Sequence, residues 1–191
     1  MRLEEIAKIQ SGFLNRGKIE SRIDGSHYLI QARDVDAEQL TCFIDALVRF
    51  SPSLSRRDCI LRSRDILFMS RGARNFALVL EEVPEPTLAA ACFFIVRVYT
   101  QKALPEYVAW YLKQGSVQHY LRRNTGLGVH MPVVRRVVLE NIEIPVPALE
   151  TQERIADLDA LSCREGRLLE RLAAKRKELL TAVSLRASGG K

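Results

Sequence analysis

Two textures of apolar and polar positions follow one another along this chain. Up to about residue 147, short apolar runs alternate with polar breaks marked by glycine or proline. Leu3, Ile6, Ala7 and Ile9 fit either a short helix or an extended start, ending at Ser11-Gly12. A polar stretch with Arg16, Lys18 and Arg22 reads as a loop. Tyr28-Leu29-Ile30 predicts a strand closed by Asp34-Val35-Asp36. Ile66-Leu67-Phe68-Met69 and the run 76–80, joined by a basic turn, predict a hairpin. The apolar stretch 88–98 predicts one buried strand, too short to cross a bilayer. Pro105 opens a helix in which Tyr107, Val108, Tyr111 and Leu112 share a face, running on towards Leu121. Residues 122–128 read as a loop, and Ile142-Glu143-Ile144 as a short strand stopped by Pro145 and Pro147.

From Thr151 to about Ala187 the texture changes to Leu, Ala, Glu, Arg and Lys, with no proline and Gly166 as the sole glycine. This predicts one long helix with Thr151 as N-cap and Glu153 and Asp157 near its positive end. A heptad places Ile155, Ser162, Leu169, Arg176 and Val183 at one core position and Leu158, Glu165, Leu172 and Leu179 at the other. Leu161, Leu168 and Leu180 widen the stripe beyond a strict two-stranded seam. Some 35 residues at ~1.5 Å each make a rod of roughly 50 Å. A rod of that length needs another helix to cover its stripe.

The chain has 191 residues, 47% of them apolar and 27% charged, enough to bury a core and unlike a disordered segment. Its formal charge of +6 comes mostly from arginine, the side chain suited to phosphate and guanine. That surplus fits a polyanionic partner or a merely basic protein. Cys42, Cys59, Cys92 and Cys163 are scattered, and His27, His119 and His130 lie apart from them. Closely spaced ligand pairs are lacking, so no metal is expected, and reduced, mostly buried thiols are. The N terminus shows no signal-peptide pattern, and the expected location is cytoplasmic.

The junction between the two textures runs Asn141-Ile142-Glu143-Ile144-Pro145-Val146-Pro147-Ala148-Leu149-Glu150-Thr151-Gln152-Glu153-Arg154-Ile155-Ala156. It resembles the pattern I-x-I-P-x-P-P-L-x-x-Q-x-x-I-A that closes a target-recognition domain in DNA specificity subunits of type I restriction-modification systems. Ala148 replaces the usual second proline. Other pieces fall in the same order. Residues 3–13 are similar to the opening L-x-[ED]-I-x-x-I-x-x-G. Residues 64–72 are similar to G-D-I-L-x-x-x-x-G, with Arg64 in place of the first glycine. Residues 104–112 are similar to the helix l-p-x-Y-l-x-x-y-L.

The resemblance implies an α+β (mixed α/β) target-recognition domain over residues 1–148, then a long coiled-coil helix over 149–187, with 188–191 a frayed tail. It implies a half-length form with one recognition domain, where full-length members carry two. Partners would be double-stranded DNA, the methyltransferase subunit and the restriction subunit of a full complex. Two copies would pair through antiparallel helices, using Ile155, Leu158, Leu161, Leu168, Leu169, Leu172, Leu179 and Val183, and read an interrupted palindrome.

No nucleotide-binding loop, amino-methyltransferase motif or nuclease signature is found, so a non-catalytic chain without a cofactor is expected. Glu4-Glu5 and Glu81-Glu82 read as solvated surface. Candidate DNA contacts are polar side chains on loops. Arg71, Arg74 and Asn75 crowd the hairpin turn. Arg122, Arg123, Asn124 and His130 bracket a glycine loop. Arg16 and Lys18, with Arg22 and His27, form a third group. Arg135 and Arg136 are adjacent on a segment that reads as extended, so at most one faces DNA. Two other readings stay open: a helical assembly adaptor that reads no DNA, and a small nuclease.

Overall fold

The run Ile66–Met69 forms strand β6, and all four of its side chains are buried. A strand can hide every residue only if both faces of its sheet are covered. That is the architecture of this computed structural model, which describes residues 1–14, 19–52, 59–72, 74–99, 101–125 and 132–188. Antiparallel strands stand in the order β1 (Ala7–Ser11), β9 (Phe93–Val98), β6, β7 (Ala77–Val79). Ile66 and Phe68 point with Ile9, Phe94 and Val96 into one core. Leu67 and Met69 point with Leu78, Phe93 and Ile95 into another.

Helices cover the first face. Short α1 (Leu3–Ile6), α2 (Pro105–Leu112), α3 (Gly115–Asn124) and α4 (Arg136–Glu140) bring Leu3, Ile6, Tyr107, Val108, Leu112, Leu121 and Leu139 onto it. Smaller sheets cover the second face. Strand β2 (His27–Ile30) pairs antiparallel with β5 (Val48–Phe50) and parallel with β8 (Thr87–Ala89). Strands β3 (Val35–Asp36) and β4 (Thr41–Cys42) pair beside them. A third cluster, Leu29, Phe50, Cys59 and Leu88, is lined by Phe13 and Ile19. The fold is thus mixed α/β, followed by the long helix α5 (Leu149–Ala187). Two compact units are distinguished, Met1–Ala156 and Asp157–Lys191, so the first two turns of α5 belong to the first unit.

Several expectations are corrected. The apolar stretch 88–98 is two strands in different sheets, because the chain turns at Ala91–Cys92 and the Phe93 N–H bonds back to the Ala90 carbonyl. The single helix from Pro105 is two, broken at Lys113 and Gln114. The Gln114 and Gln118 side-chain amides donate to the carbonyls of Trp110 and Leu112 and close the first helix. Arg122, Arg123 and Asn124 are not loop but the last turn of α3, where positive charge suits the helix dipole. Arg136 opens a helix rather than an extended segment, and it pairs with Glu140 at 2.6 Å. Residues 142–144 make only an isolated bridge, Glu143 to Arg2. Thr151 lies inside α5, which starts at Leu149. Cys59 is buried, whereas Cys42, Cys92 and Cys163 are half-buried thiols.

Gly12 shows why the first loop begins where it does. Its N–H donates to the Phe93 carbonyl, and a Cβ there would lie 2.2 Å from the Ala90 oxygen, so only glycine allows the approach.

Candidate nucleic-acid interface

The turn between β6 and β7 is braced from within. The Asn75 side-chain amide donates to the Met69 carbonyl at 2.8 Å. Asn75 is half-buried, and its amide braces the turn. Arg71 and Arg74 are exposed. Gly72 takes φ +107°, a left-handed conformation that glycine accommodates, and its side opens on empty space.

Backbone bonds tie this turn to two other segments. The Ser70 N–H and hydroxyl both donate to the Cys92 carbonyl, at 2.9 and 2.8 Å. The Gly72 N–H donates to the Pro132 carbonyl at 3.0 Å, and the Val134 N–H to the Ser70 carbonyl at 2.8 Å. Arg71 bridges to Val133. On the other side of the Ala90–Cys92 turn, the Phe13 N–H donates to the Ala89 carbonyl, and Phe13 bridges to Ala90. One rim therefore joins residues 12–14, the 90–92 turn, residues 70–72 and 74–76, and residues 132–134. Burial pushes the Cys92 thiol up from its ordinary value, while a backbone hydrogen bond and then the neighbouring Arg71 charge pull the other way.

Arg16, Lys18 and His130 lie outside the described residues. Their flanking residues, Phe13-Leu14 and Pro132-Val133, are on this rim. Arg122, Arg123 and Asn124 are exposed on α3, which packs on α2 and α4, and the Asn124 side chain donates to the Tyr120 carbonyl. They belong to the helical layer. Arg22 lies 3.8 Å from Glu20, and His27 Nδ1 is 2.8 Å from the Ser26 hydroxyl.

Sequence reasoning missed Arg49, exposed and set 5.1 Å over the Tyr28 ring. The two face each other across β2 and β5, a pairing that leaves no local signal. It also gave no role to Gln152, which is fully buried although the junction pattern contains it.

Along α5, Leu158, Leu161, Leu168, Leu169, Leu172, Leu179 and Val183 are between 53% and 66% exposed. Ile155 differs, since it packs partly against the domain core. Among the described residues no three His, Cys, Asp or Glu side chains are grouped to hold a metal, and no helix is long and apolar enough to cross a membrane. A cleft of about 340 Å³ near the start of β6 is lined by Arg64 and Arg97. Both are already bound to carboxylates, Glu106 and Asp65.

No family model matches the sequence, and no curated protein does. Solved structures do match. The HsdS subunit from Thermoanaerobacter tengcongensis is 22% identical, with a TM-score of 0.63 over 97% of this chain and 47% of that one. A type I R-M system, solved for its complex assembly and conformational transition, contains a chain 18% identical with a TM-score of 0.67, over 95% of this chain and 42% of that one. The type I restriction-modification S subunit from M. genitalium is 15% identical with a TM-score of 0.55, over 91% and 40%. The chain spans under half the length of each of these. In fold it matches the target-recognition domain and following long helix of an HsdS specificity subunit.

Proposed function

We propose that this chain is a DNA specificity subunit of a type I restriction-modification complex, or of a related defence assembly. In this reading residues 1–148 recognise double-stranded DNA and residues 149–187 pair with another helix. The chain directs a methyltransferase subunit, and in a full complex the restriction subunit, to its site in the cytoplasm. It performs no chemistry and needs no cofactor. The observation that carries this reading is the single rim. On the fold of an HsdS subunit, the turn with Arg71 and Arg74 is bonded to residues 132–134 and, through the 90–92 turn, to residues 12–14. These are the segments that flank Arg16, Lys18 and His130. Exposed arginines on one rim supply phosphate contacts and the bidentate donors that read guanine.

The test is co-expression with the type I methyltransferase subunit of the same genome, co-purification, and mapping of methylated sites. One defined bipartite site supports the reading. Failure of both the protein and its complex to bind duplex DNA at low salt overturns it. The exposed leucines of α5 favour a second reading, an assembly adaptor without sequence reading. Stable complex formation without DNA binding would establish that one instead.

A further inference from the structure

We propose that Gln152 is the positioning residue that fixes the root of α5, and through it the spacing between half-sites in a paired assembly. The spacing part rests on the function proposed above. Gln152 is the residue of α5 that is buried, at 0% exposure. Its Oε1 accepts from the Leu104 N–H at 3.0 Å. Its Nε2 donates to the carbonyls of Lys102 and Pro147, both at 2.7 Å. A primary amide has two donor hydrogens and one acceptor oxygen, and here all are engaged. The three partners are backbone groups on two segments, the approach to α2 and the approach to α5.

Glutamate at this position lacks both donors, and methionine or leucine lacks everything. One turn on, Ile155 adds a partly buried contact to the domain core. The Tyr107 hydroxyl donates to the Pro145 carbonyl at 2.8 Å and steadies the approach. Beyond these points the leucines of α5 are exposed.

Small angles matter at such a root. A rod of about 50 Å tilted by about 10° moves its far end by roughly 9 Å, more than two base-pair steps of ~3.4 Å. A loosened root would therefore blur the distance between recognition domains while leaving each half-site intact.

The experiment uses the full chain as Gln152→Met, which removes all three bonds, and Gln152→Asn, which keeps the amide but is one methylene too short to reach all three partners. Thr151→Ala, exposed in the same turn, is the control. Amide exchange is followed at residues 155–158 and in β6 and β9, and methylated sites are mapped in the assembled complex. The expected result is exchange at 155–158 faster by about tenfold with sheet protection unchanged, together with about tenfold more methylation at sites one base pair longer or shorter. If Gln152→Met also loses sheet protection, Gln152→Asn carries the comparison. Wild-type exchange at 155–158 in a folded variant overturns the clamp. Faster exchange with wild-type spacing overturns its positioning role. A wild-type complex that methylates no split site overturns the functional reading and the spacing claim with it, while the exchange measurement still judges the clamp.

Discussion

Arg97 grips Asp65 with two parallel bonds, Nε to Oδ1 at 2.7 Å and Nη2 to Oδ2 at 2.6 Å, with the carboxylate 1% exposed. The same carboxylate accepts the Arg62 N–H, and Arg97 also reaches the Ile60 carbonyl. The pair thus stitches residues 60–65 to β9 at the end of β6 away from the candidate rim. Removing the aspartate leaves the partly exposed Arg97 guanidinium without its carboxylate and the Arg62 N–H without its acceptor. Asp65→Ala is expected to lower stability by about 1.5–3 kcal/mol in urea unfolding, and Asp65→Asn by less, because it keeps an acceptor.

The rim residues divide by what they touch. Arg71 and Arg74 are exposed, so replacing either by Ala should leave the melting temperature nearly unchanged and weaken DNA binding. If the lost contact is to phosphate, the slope of log affinity against log salt should fall by about 0.9. Asn75→Ala removes a bond inside the turn and should cost about 1 kcal/mol of stability as well as affinity. Titrations at several salt concentrations, beside thermal melts, separate the two classes.

The pattern of the sequence revealed the central hairpin, because Ile66–Met69 is a continuous apolar run bounded by turn residues. It hid the break at Ala91–Cys92, which carries neither glycine nor proline. That turn is held by distant partners, the backbone of Gly12, Phe13, Ile30 and Ser70. The short helix at Arg136–Glu140 was likewise obscured by its two adjacent valines, and burial of Val138 and Leu139 overrides their preference for strands. The basic turn was legible as a cluster of types. That residues 12–14 and 132–134 join it could not be read, since those bonds cross 60 or more positions of chain.

Cys42 supplies a pH test of the β3–β4 region. Burial first, and then the Asp34 charge, push its thiol up from 9.0 to about 11. A raised thiol pKa in the folded state means that ionisation favours the unfolded chain. Its contribution to stability is therefore complete below pH 9 and is lost as pH rises from 9 through 11. Alkylation of Cys42, followed by peptide mass, should stay slow at pH 8, accelerate about tenfold per pH unit up to about pH 10, and level off only above about pH 11. A plateau near pH 9 would contradict the burial seen here.

The exposed stripe of α5 gives the last prediction. Leu168, Leu169 and Leu172 are 53%, 58% and 56% exposed. Covering an aliphatic side chain contributes about 1.5–3 kcal/mol when burial is complete, so half-exposed residues gain roughly half of that each. Several such leucines along one face can exceed the entropic cost of association. Two copies related by a two-fold axis would cover the stripe with the same surface on both sides. Ile155 contributes less than its heptad position suggests, because it already packs on the domain. Light scattering at tens of micromolar is expected to show a dimer for the chain alone. The double change Leu169→Glu with Leu172→Glu should return it to a monomer while the melting transition of the domain stays in place, since both positions lie outside the first compact unit. A wild-type chain that remains monomeric and folded would exclude the homodimer. Assembly on adding the methyltransferase subunit would then assign the stripe to that partner.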